Sequence, residues 1–384
     1  MRKYTPREML EKLVGFPTVS RDSNLPLIDF AEAYLTGHGV KCRRVYDETG
    51  TKANLYALVG PEAPGGVVLS GHTDVVPVDG QDWLTDPFTV VERDGRLYGR
   101  GTCDMKGFDA LALALVPDML AAGMKRPVQI ALSYDEEVGC RGAPHMIAEM
   151  RETMPPAAAV IVGEPSLMKV VTQHKGSVGL TTHVHGFEVH SSLMHTGVSA
   201  VMTAARLVNW MRERTEENQA RAAAASPFEP PFTTLHVGVI KGGTAHNITA
   251  KDCEFASDFR VCPPETPEEW RRRYEAFAGE VEADIRKIRP EARIEVIMRM
   301  MNPPCLREEA GAAEALARSL TGDNSLNVVS YGTEAGQFQE GGYSTCICGP
   351  GSIEQAHQPN EYISVAQFEA GEAFIRRLIE RLKT

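Results

Sequence analysis

The 384-residue chain has no run of about 18 apolar residues, so nothing in it reads as a bilayer-spanning helix. It also lacks an excess of positive charge. Its 40 lysines and arginines stand against 51 aspartates and glutamates, for a net charge of −11. That balance disfavours nucleic acid and anionic membrane as partners. The eight cysteines, Cys42, Cys103, Cys140, Cys253, Cys262, Cys305, Cys346 and Cys348, are too sparse for a disulfide scaffold. None forms C-x-x-C, which argues against a thiolate zinc knuckle or a redox pair. They read as buried, reduced thiols of a cytoplasmic protein. The amino terminus has no apolar signal core: Met1-Arg2-Lys3-Tyr4-Thr5-Pro6 leads into a charged amphipathic helix, so secretion is not expected. What remains is an ordinary globular composition, 43% hydrophobic and 24% charged. At roughly 150 residues per domain, the length suggests two or three domains.

Local patterns divide the chain. Thr5, Pro6 and Glu8 are placed as N-cap, first helical residue and capping-box partner of an opening helix. A second helix carries Leu27, Phe30, Ala31, Tyr34 and Leu35 on one face and stops at Gly37-His38-Gly39. Then short apolar runs end in polar loops: Val67–Ser70 into Gly71-His72-Thr73-Asp74, Val128–Ser133 into Asp135-Glu136-Glu137, and Ala158–Val162 into Gly163-Glu164-Pro165. These read as buried central strands of an α/β sheet. Between them and the carboxyl-terminal part the order changes to β-α-β-β-α-β. Strands are expected over Ser177–Val184, Thr233–Val239, Cys253–Val261 and Arg293–Met298, with helices at Val201–Met211 and from Thr266. That order suits a ferredoxin-like α+β insert, with Arg221–Pro231 as a surface loop. A strand near Thr345–Cys348 and a last helix with Val365, Phe368, Ile375, Leu378, Ile379 and Leu382 inward complete the first domain. The expected division is residues 1–176 and 300–384 for a catalytic α/β domain, with a mixed sheet flanked by helices, and 177–299 for the insert.

The unusual polar residues gather at predicted strand ends. His72, Glu136, Glu137 and Glu164 lie just past buried strands, His357 lies beyond the strand at Thr345–Gly349, and Asp104 precedes a helix starting near Lys106. Ligands of open α/β sheets bind at the carboxyl ends of the strands. Carboxylates crowded there repel one another, and a divalent cation relieves the repulsion. Two histidines and three or four carboxylates suit two zinc ions about 3.5–4 Å apart. With Asp104 shared, His72 and Glu164 would serve one ion, and Glu137 and His357 the other. Two dications against Asp104, Glu137 and Glu164 leave one positive charge, which a bridging hydroxide cancels. Glu136 is left over as general base, and Asp74 is placed to receive the other ring N–H of His72.

The stretches His72-Thr73-Asp74, Gly101-Thr102-Cys103-Asp104-Met105-Lys106-Gly107, Asp135-Glu136-Glu137 and Gly163-Glu164-Pro165 resemble the amidohydrolases of the dizinc metallopeptidase family. The resemblance runs in order over nearly the whole chain. Ala53-Asn54-Leu55, Trp83–Phe88, Tyr331-Gly332-Thr333-Glu334-Ala335 and Gly349–Tyr362 look most like the branch that deacetylates N2-acetyl-L-ornithine. It implies a zinc-aminopeptidase-like catalytic domain and an inserted dimerisation and lid domain. It also implies a homodimer and two Zn2+ per subunit, with Co2+ as a substitute. By the same resemblance His72, Asp104, Glu137, Glu164 and His357 are metal ligands and Glu136 the general base. His190 stabilises the oxyanion, often across a dimer, and Asn247 and Arg260 bind substrate. Thr249-Ala250 and Met194 depart from the family pattern, which usually has proline at these places; both lie in the insert.

The implied reaction is attack of zinc-generated hydroxide on the acetyl carbon, with Glu136 relaying the proton to the departing amine. Arg260 suits the substrate's α-carboxylate by its planar fork, and Glu334 is assigned to the cationic side-chain amine. The products are L-ornithine and acetate, in arginine synthesis. Other acyl amino acids (acetylcitrulline, acetyldiaminobutyrate, a succinylated diamine, a dipeptide) are the nearest alternative substrates. A metal-dependent binding protein without turnover is the alternative of another class. Several residues read as structural. His183, His185, His195 and His246 are expected to be structural or surface groups, with a third metal site as the alternative. Asp109 reads as a solvated helix residue, Trp83 and Phe88 as loop packing, and Gly242-Gly243 as a backbone turn rather than a phosphate loop.

Overall fold

Runs such as Val67–Leu69, Ile130–Leu132 and Val160–Val162 offer apolar side chains to both faces, which is stable only where helices cover a sheet on both sides. In the computed structural model, which describes residues 2–384, these runs lie in the strands Gly66–His72, Val128–Ser133 and Ala157–Pro165, and the first two are buried throughout. They belong to an eight-stranded sheet. Its spatial order is Lys41–Tyr46, Ala53–Val59, Val128–Ser133, Gly66–His72, Ala157–Pro165, Thr345–Gly349, Val171–His174 and Asn327–Val329. Neighbouring strands from Val128–Ser133 to Thr345–Gly349 are parallel, so their carboxyl ends lie along one edge. Ala53–Val59 and Lys41–Tyr46 add on antiparallel, making the sheet mixed. A small antiparallel sheet of Tyr362–Ser364, Arg96–Tyr98 and Val91–Arg93 has no counterpart in the sequence reading. Its three-residue strands are too short to show a period.

Local chemistry sets the helix ends. Thr5 Oγ1 accepts the Glu8 N–H at 3.2 Å, and the Glu8 carboxylate accepts the Thr5 N–H at 2.8 Å, closing the capping box over helix Pro6–Val14. Such a cap contributes about 1 kcal/mol. The helix Lys106–Ala114 packs on strand Gly66–His72 and against helices Pro6–Val14 and Val365–Arg381. All nine of its residues are buried, Asp109 among them, so the expectation of a solvated Asp109 is corrected. The helix lies close to the strand because Gly71 has no side chain: a Cβ there would stand 2.0 Å from Asp109 Oδ1. Burial pushes the Asp109 carboxyl well above the usual carboxylate range, and neighbouring His72 and Lys106 offset this only in part.

The chain forms two compact units. One comprises residues up to Gln173 with Cys305–Asn327 and Thr333–Thr384; the other comprises His174–Pro304 with Val328–Gly332. The second unit has a four-stranded antiparallel sheet in the order Thr234–Gly242, Asp252–Val261, Gly176–His185, Arg293–Asn302. Helices Ala200–Ala220 and Pro267–Arg286 complete the β-α-β-β-α-β order of a ferredoxin-like fold. Val178, Leu180 and Val184 share a core with Leu207, Trp210, Trp270, Tyr274 and Val281 of the helices. Strand alternation turns His183 and His185 to the other face. All eight cysteines are free thiols, seven of them buried. Among the described residues, no helix is long and apolar enough to cross a membrane.

Candidate metal centre

The parallel strands carry the polar groups to one edge of the first unit. His72 ends strand Gly66–His72 and Glu164 lies at the end of Ala157–Pro165. Glu136 and Glu137 follow Val128–Ser133, and His357 sits in the loop between Thr345–Gly349 and Tyr362–Ser364. Asp104 immediately precedes the N-cap of helix Lys106–Ala114. Asp135 and His357 take left-handed backbone, at φ 57° and 62°. For side chains other than glycine this costs about 1–3 kcal/mol, and such strain clusters at functional sites.

The two imidazoles flank one carboxylate. His72 Nε2 is 3.1 Å from Asp104 Oδ1 and 3.7 Å from Glu164 Oε1. His357 Nε2 is 3.3 Å from Asp104 Oδ2 and 2.9 Å from Glu137 Oε2. Asp104 therefore turns one oxygen toward each histidine, with Glu164 on one side and Glu137 on the other. The sets His72, Glu136, Glu164 and His72, Asp104, Glu137 each bring three potential ligand atoms within 4.8 Å of one another.

The donor chemistry fits a cation pair. His72 Nδ1 lies 2.9 Å from the backbone carbonyl of Asp74, so that nitrogen carries the ring proton. In the neutral ring, Nε2 then aims its lone pair at two carboxylates, an arrangement that requires a cation between them or a second proton on the ring. Glu137 Oε1 is buried without a hydrogen-bond partner, so it too has a free acceptor. The protonation energetics reflect the same crowding. Burial pushes Glu136 up to about 8, with the charges of Glu137, Glu334 and Asp104 adding to the effect and His72 opposing it. Burial and the Asp104 charge push Glu137 up to about 7. Burial and the charges of Asp104 and Glu136 raise Glu164 well above its ordinary range. Burial works against charge on His72, but hydrogen bonds to Asp104 and Asp74 and the charge of Glu164 outweigh it and raise its pKa. Protons on this cluster would do what dications do better, which is to cancel the negative charge.

Asp74 faces the His72 ring with its backbone carbonyl as well as its carboxylate. The ring of His72 meets its backbone carbonyl, while its carboxylate is farther away, at 3.5 Å. Three donors claim that carboxylate: Ser20 Oγ at 2.7 Å and the backbone N–H groups of Glu136 and Glu137 at 3.1 and 3.3 Å. Glu334, assigned from the sequence to a substrate amine, has two serine partners in the fold. Glu334 is 1% exposed, and its carboxylate accepts hydrogen bonds from Ser133 Oγ and, at 3.3 Å, Ser70 Oγ. Burial pushes its carboxyl up to about 7, with hydrogen bonds from Ser133 and Ser70 opposing the rise.

Two positioning residues escaped the sequence reading. Glu361 Oε1 accepts the backbone N–H of Cys103 at 2.9 Å and of Asp104 at 3.1 Å. Its other oxygen pairs with Arg100 Nη1 at 2.7 Å, and both side chains are 1% exposed. Arg100 in turn lies over the Trp83 ring, 5.1 Å from its centroid. A buried carboxylate and guanidinium so far apart in the chain give no periodic signal; only the charged identities at buried-loop positions hint at them.

The remaining assigned residues lie in the second unit. The segments of His190 and Asn247 adjoin there: Ser191 N–H donates to the Asn247 carbonyl at 2.9 Å, and His190 bridges to Ile248. Both His190 and Asn247 are exposed. His190 Nδ1 accepts the Ser192 N–H at 3.2 Å, which leaves the proton of the neutral ring on Nε2. Arg260 is on strand Asp252–Val261 and pairs with Asp258 at 2.8 Å.

Four acids meeting a buried imidazole, His72, and an exposed one, His357, at the edge of a helix-flanked mixed sheet define the class as a metallohydrolase scaffold. The model of peptidase family M20/M25/M40 matches residues 68–381, and the chain belongs to that family. A relative from Myxococcus xanthus, an acetylornithine deacetylase, is 36% identical over 378 residues, covering 97% of this chain and 96% of the relative. One of the same name from Klebsiella pneumoniae (strain 342) is 34% identical, covering 93% and 92%. Among solved structures, a tripeptidase from Staphylococcus aureus aligns over 100% of both chains with a TM-score of 0.75 at 18% identity. An M20 family metallo-carboxypeptidase from Sulfolobus solfataricus aligns over 99% of both, also at 0.75, with 17% identity. A dinuclear metal-binding M20 peptidase from Bacillus subtilis aligns over 99% of this chain and 98% of its own at 0.61, with 14% identity. The structural likenesses bear out the fold, a mixed sheet flanked by helices.

Proposed function

We propose that the protein is a metal-dependent amidohydrolase that removes the acetyl group from N2-acetyl-L-ornithine, releasing L-ornithine and acetate for arginine synthesis in the cytoplasm. The observation that carries the chemistry is Asp104 set between His72 and His357, with Glu136 beside them. The substrate follows from two near-full-length relatives of that name at 36% and 34% identity.

His72, Glu164, Asp104, Glu137 and His357 would hold two divalent cations, zinc by their nitrogen and oxygen donors, with cobalt as a substitute. Such ions supply an acidified water and Lewis-acid polarisation of the amide carbonyl. Glu136 accepts the proton of the attacking water and delivers it to the departing α-amine. His190, with its proton on Nε2, is a donor for the oxyanion that develops on the acetyl oxygen. Arg260 offers two parallel N–H groups to the substrate carboxylate, and Asn247 an amide. Residues 177–299 act as a dimerisation and lid domain in a homodimer.

The test is acetate release across about ten acyl amino acids, acetylcitrulline and dipeptides among them, with metal content measured on the same sample. Acetylornithine should give the highest kcat/KM, and exhaustive chelation should abolish turnover until Zn2+ is restored. Full activity after chelation would remove the metal reading. A clear preference for another acyl amino acid would leave the chemistry and replace the substrate.

A further inference from the structure

On the open face of the second unit's sheet, His183 and His185 stand side by side, their ring centroids 3.9 Å apart. They come from the central strand Gly176–His185, and the strands on both sides bring carboxylates into register with them. His183 is opposite Glu254 and Glu295, and His185 is opposite Asp252 and Arg293. The resulting patch carries more negative than positive charge around two imidazoles. Asp252 Oδ1 is 3.1 Å from His185 Nδ1 and 3.5 Å from His183 Nε2. A carboxylate so placed takes the Nδ1–H of His185 and leaves the Nε2 lone pair available. That Nε2 atom is buried and has no hydrogen-bond partner, with Glu295 Oε2 3.9 Å away. One ligand atom from each of His183, His185 and Glu295 lies within 4.8 Å of the others, a side-chain rotation from coordinating one ion.

We propose that His183, His185 and Glu295, with Asp252 orienting His185, form a further metal site on the insert that takes a zinc-class divalent ion. Two imidazoles and a carboxylate match borderline ions such as Zn2+ or Ni2+ and not Mg2+ or Ca2+, which take oxygen ligands. The ligands come from two adjacent strands, so the ion ties the central strand to the edge strand Arg293–Asn302. Glu295 is about half exposed, so the ion is exchangeable rather than sealed in.

The experiment uses the full-length holoenzyme, equilibrated with micromolar free Zn2+ and assayed for bound metal. Wild type should hold one zinc per chain more than the His183→Ala/His185→Ala variant, with turnover equal in the two. Zinc-edge anomalous scattering from soaked crystals should place a peak between His183, His185 and Glu295. Asp252→Asn should weaken that site about 10–100-fold in a calorimetric titration with Zn2+. Equal zinc contents, or no anomalous peak there, overturns the proposal. If the double variant does not fold, Glu295→Gln takes its place, and an unchanged Zn2+ titration then overturns it.

Discussion

The carboxylate of Asp74 accepts the backbone N–H of Glu136 at 3.1 Å and, through its second oxygen, that of Glu137 at 3.3 Å. One side chain thereby sets the backbone of the proposed base and of a proposed ligand, while its own carbonyl fixes the tautomer of His72. Asp74→Ala should reduce metal affinity about 10–100-fold, as loss of an orienting partner does, and lower kcat with it. Competition with a chromophoric chelator measures the first and acetate release the second. Wild-type values for both would show that Asp74 positions nothing.

Glu136→Gln keeps size and hydrogen bonding but cannot relay a proton. Turnover should fall about 10²–10⁴-fold, with the metal content of the wild type. Loss of metal instead would exchange the roles of Glu136 and Glu137.

Arg100 and Glu361 form a fully buried pair that holds the loop of Asp104. Glu361→Ala strands the guanidinium and frees two backbone N–H groups. It should cost about 3–5 kcal/mol of stability, read as a lowered denaturation midpoint. Arg100→Met/Glu361→Met removes both charges together and should recover part of that loss. If it recovers none, the pair matters for more than its buried charge.

If His190 serves the site of a partner protomer, a mixture of Glu136→Gln and His190→Ala dimers should regain activity after subunit exchange. Each mixed dimer then assembles one intact set of groups. Absence of recovery after confirmed exchange would place His190 with the site of its own chain.

Asp323 gives a pH-dependent contribution away from the metal centre. Burial opposes its charge, but hydrogen bonds from Ser325, the Val170 N–H and Asn327 outweigh it and hold the carboxyl at about 2, against an ordinary 3.8. A depressed folded-state pKa means that the stabilisation is fully present above about pH 4 and is lost as pH falls toward 2. With solvent screening, it amounts to at most about 2 kcal/mol. Wild type should therefore exceed Asp323→Ala in stability at pH 6 by more than at pH 2.5, by chemical denaturation. An equal difference at both values would show that the carboxyl is not depressed.

The sequence by itself determined what local pattern can encode. Apolar runs broken by His72, Glu136-Glu137 and Glu164 declared central strands with acids at their ends, because burial on both faces demands continuous apolarity. Thr5 and Glu8 declared a helix start, because a cap is a short-range hydrogen bond. Only the tertiary structure decided which distant groups share an environment. Asp109 looks like a solvated helix residue until strand Gly66–His72 covers it. Glu334 gains Ser70 and Ser133 as partners only through the fold. Glu361 has no visible task until the fold brings it to the backbone of Asp104, and His183 and His185 gain Asp252 and Glu295 only through strand register. The reason is the range of the forces involved. Periodicity and capping act over a few neighbouring residues, whereas the desolvation of a charge and its partner depends on everything the folded chain places around it.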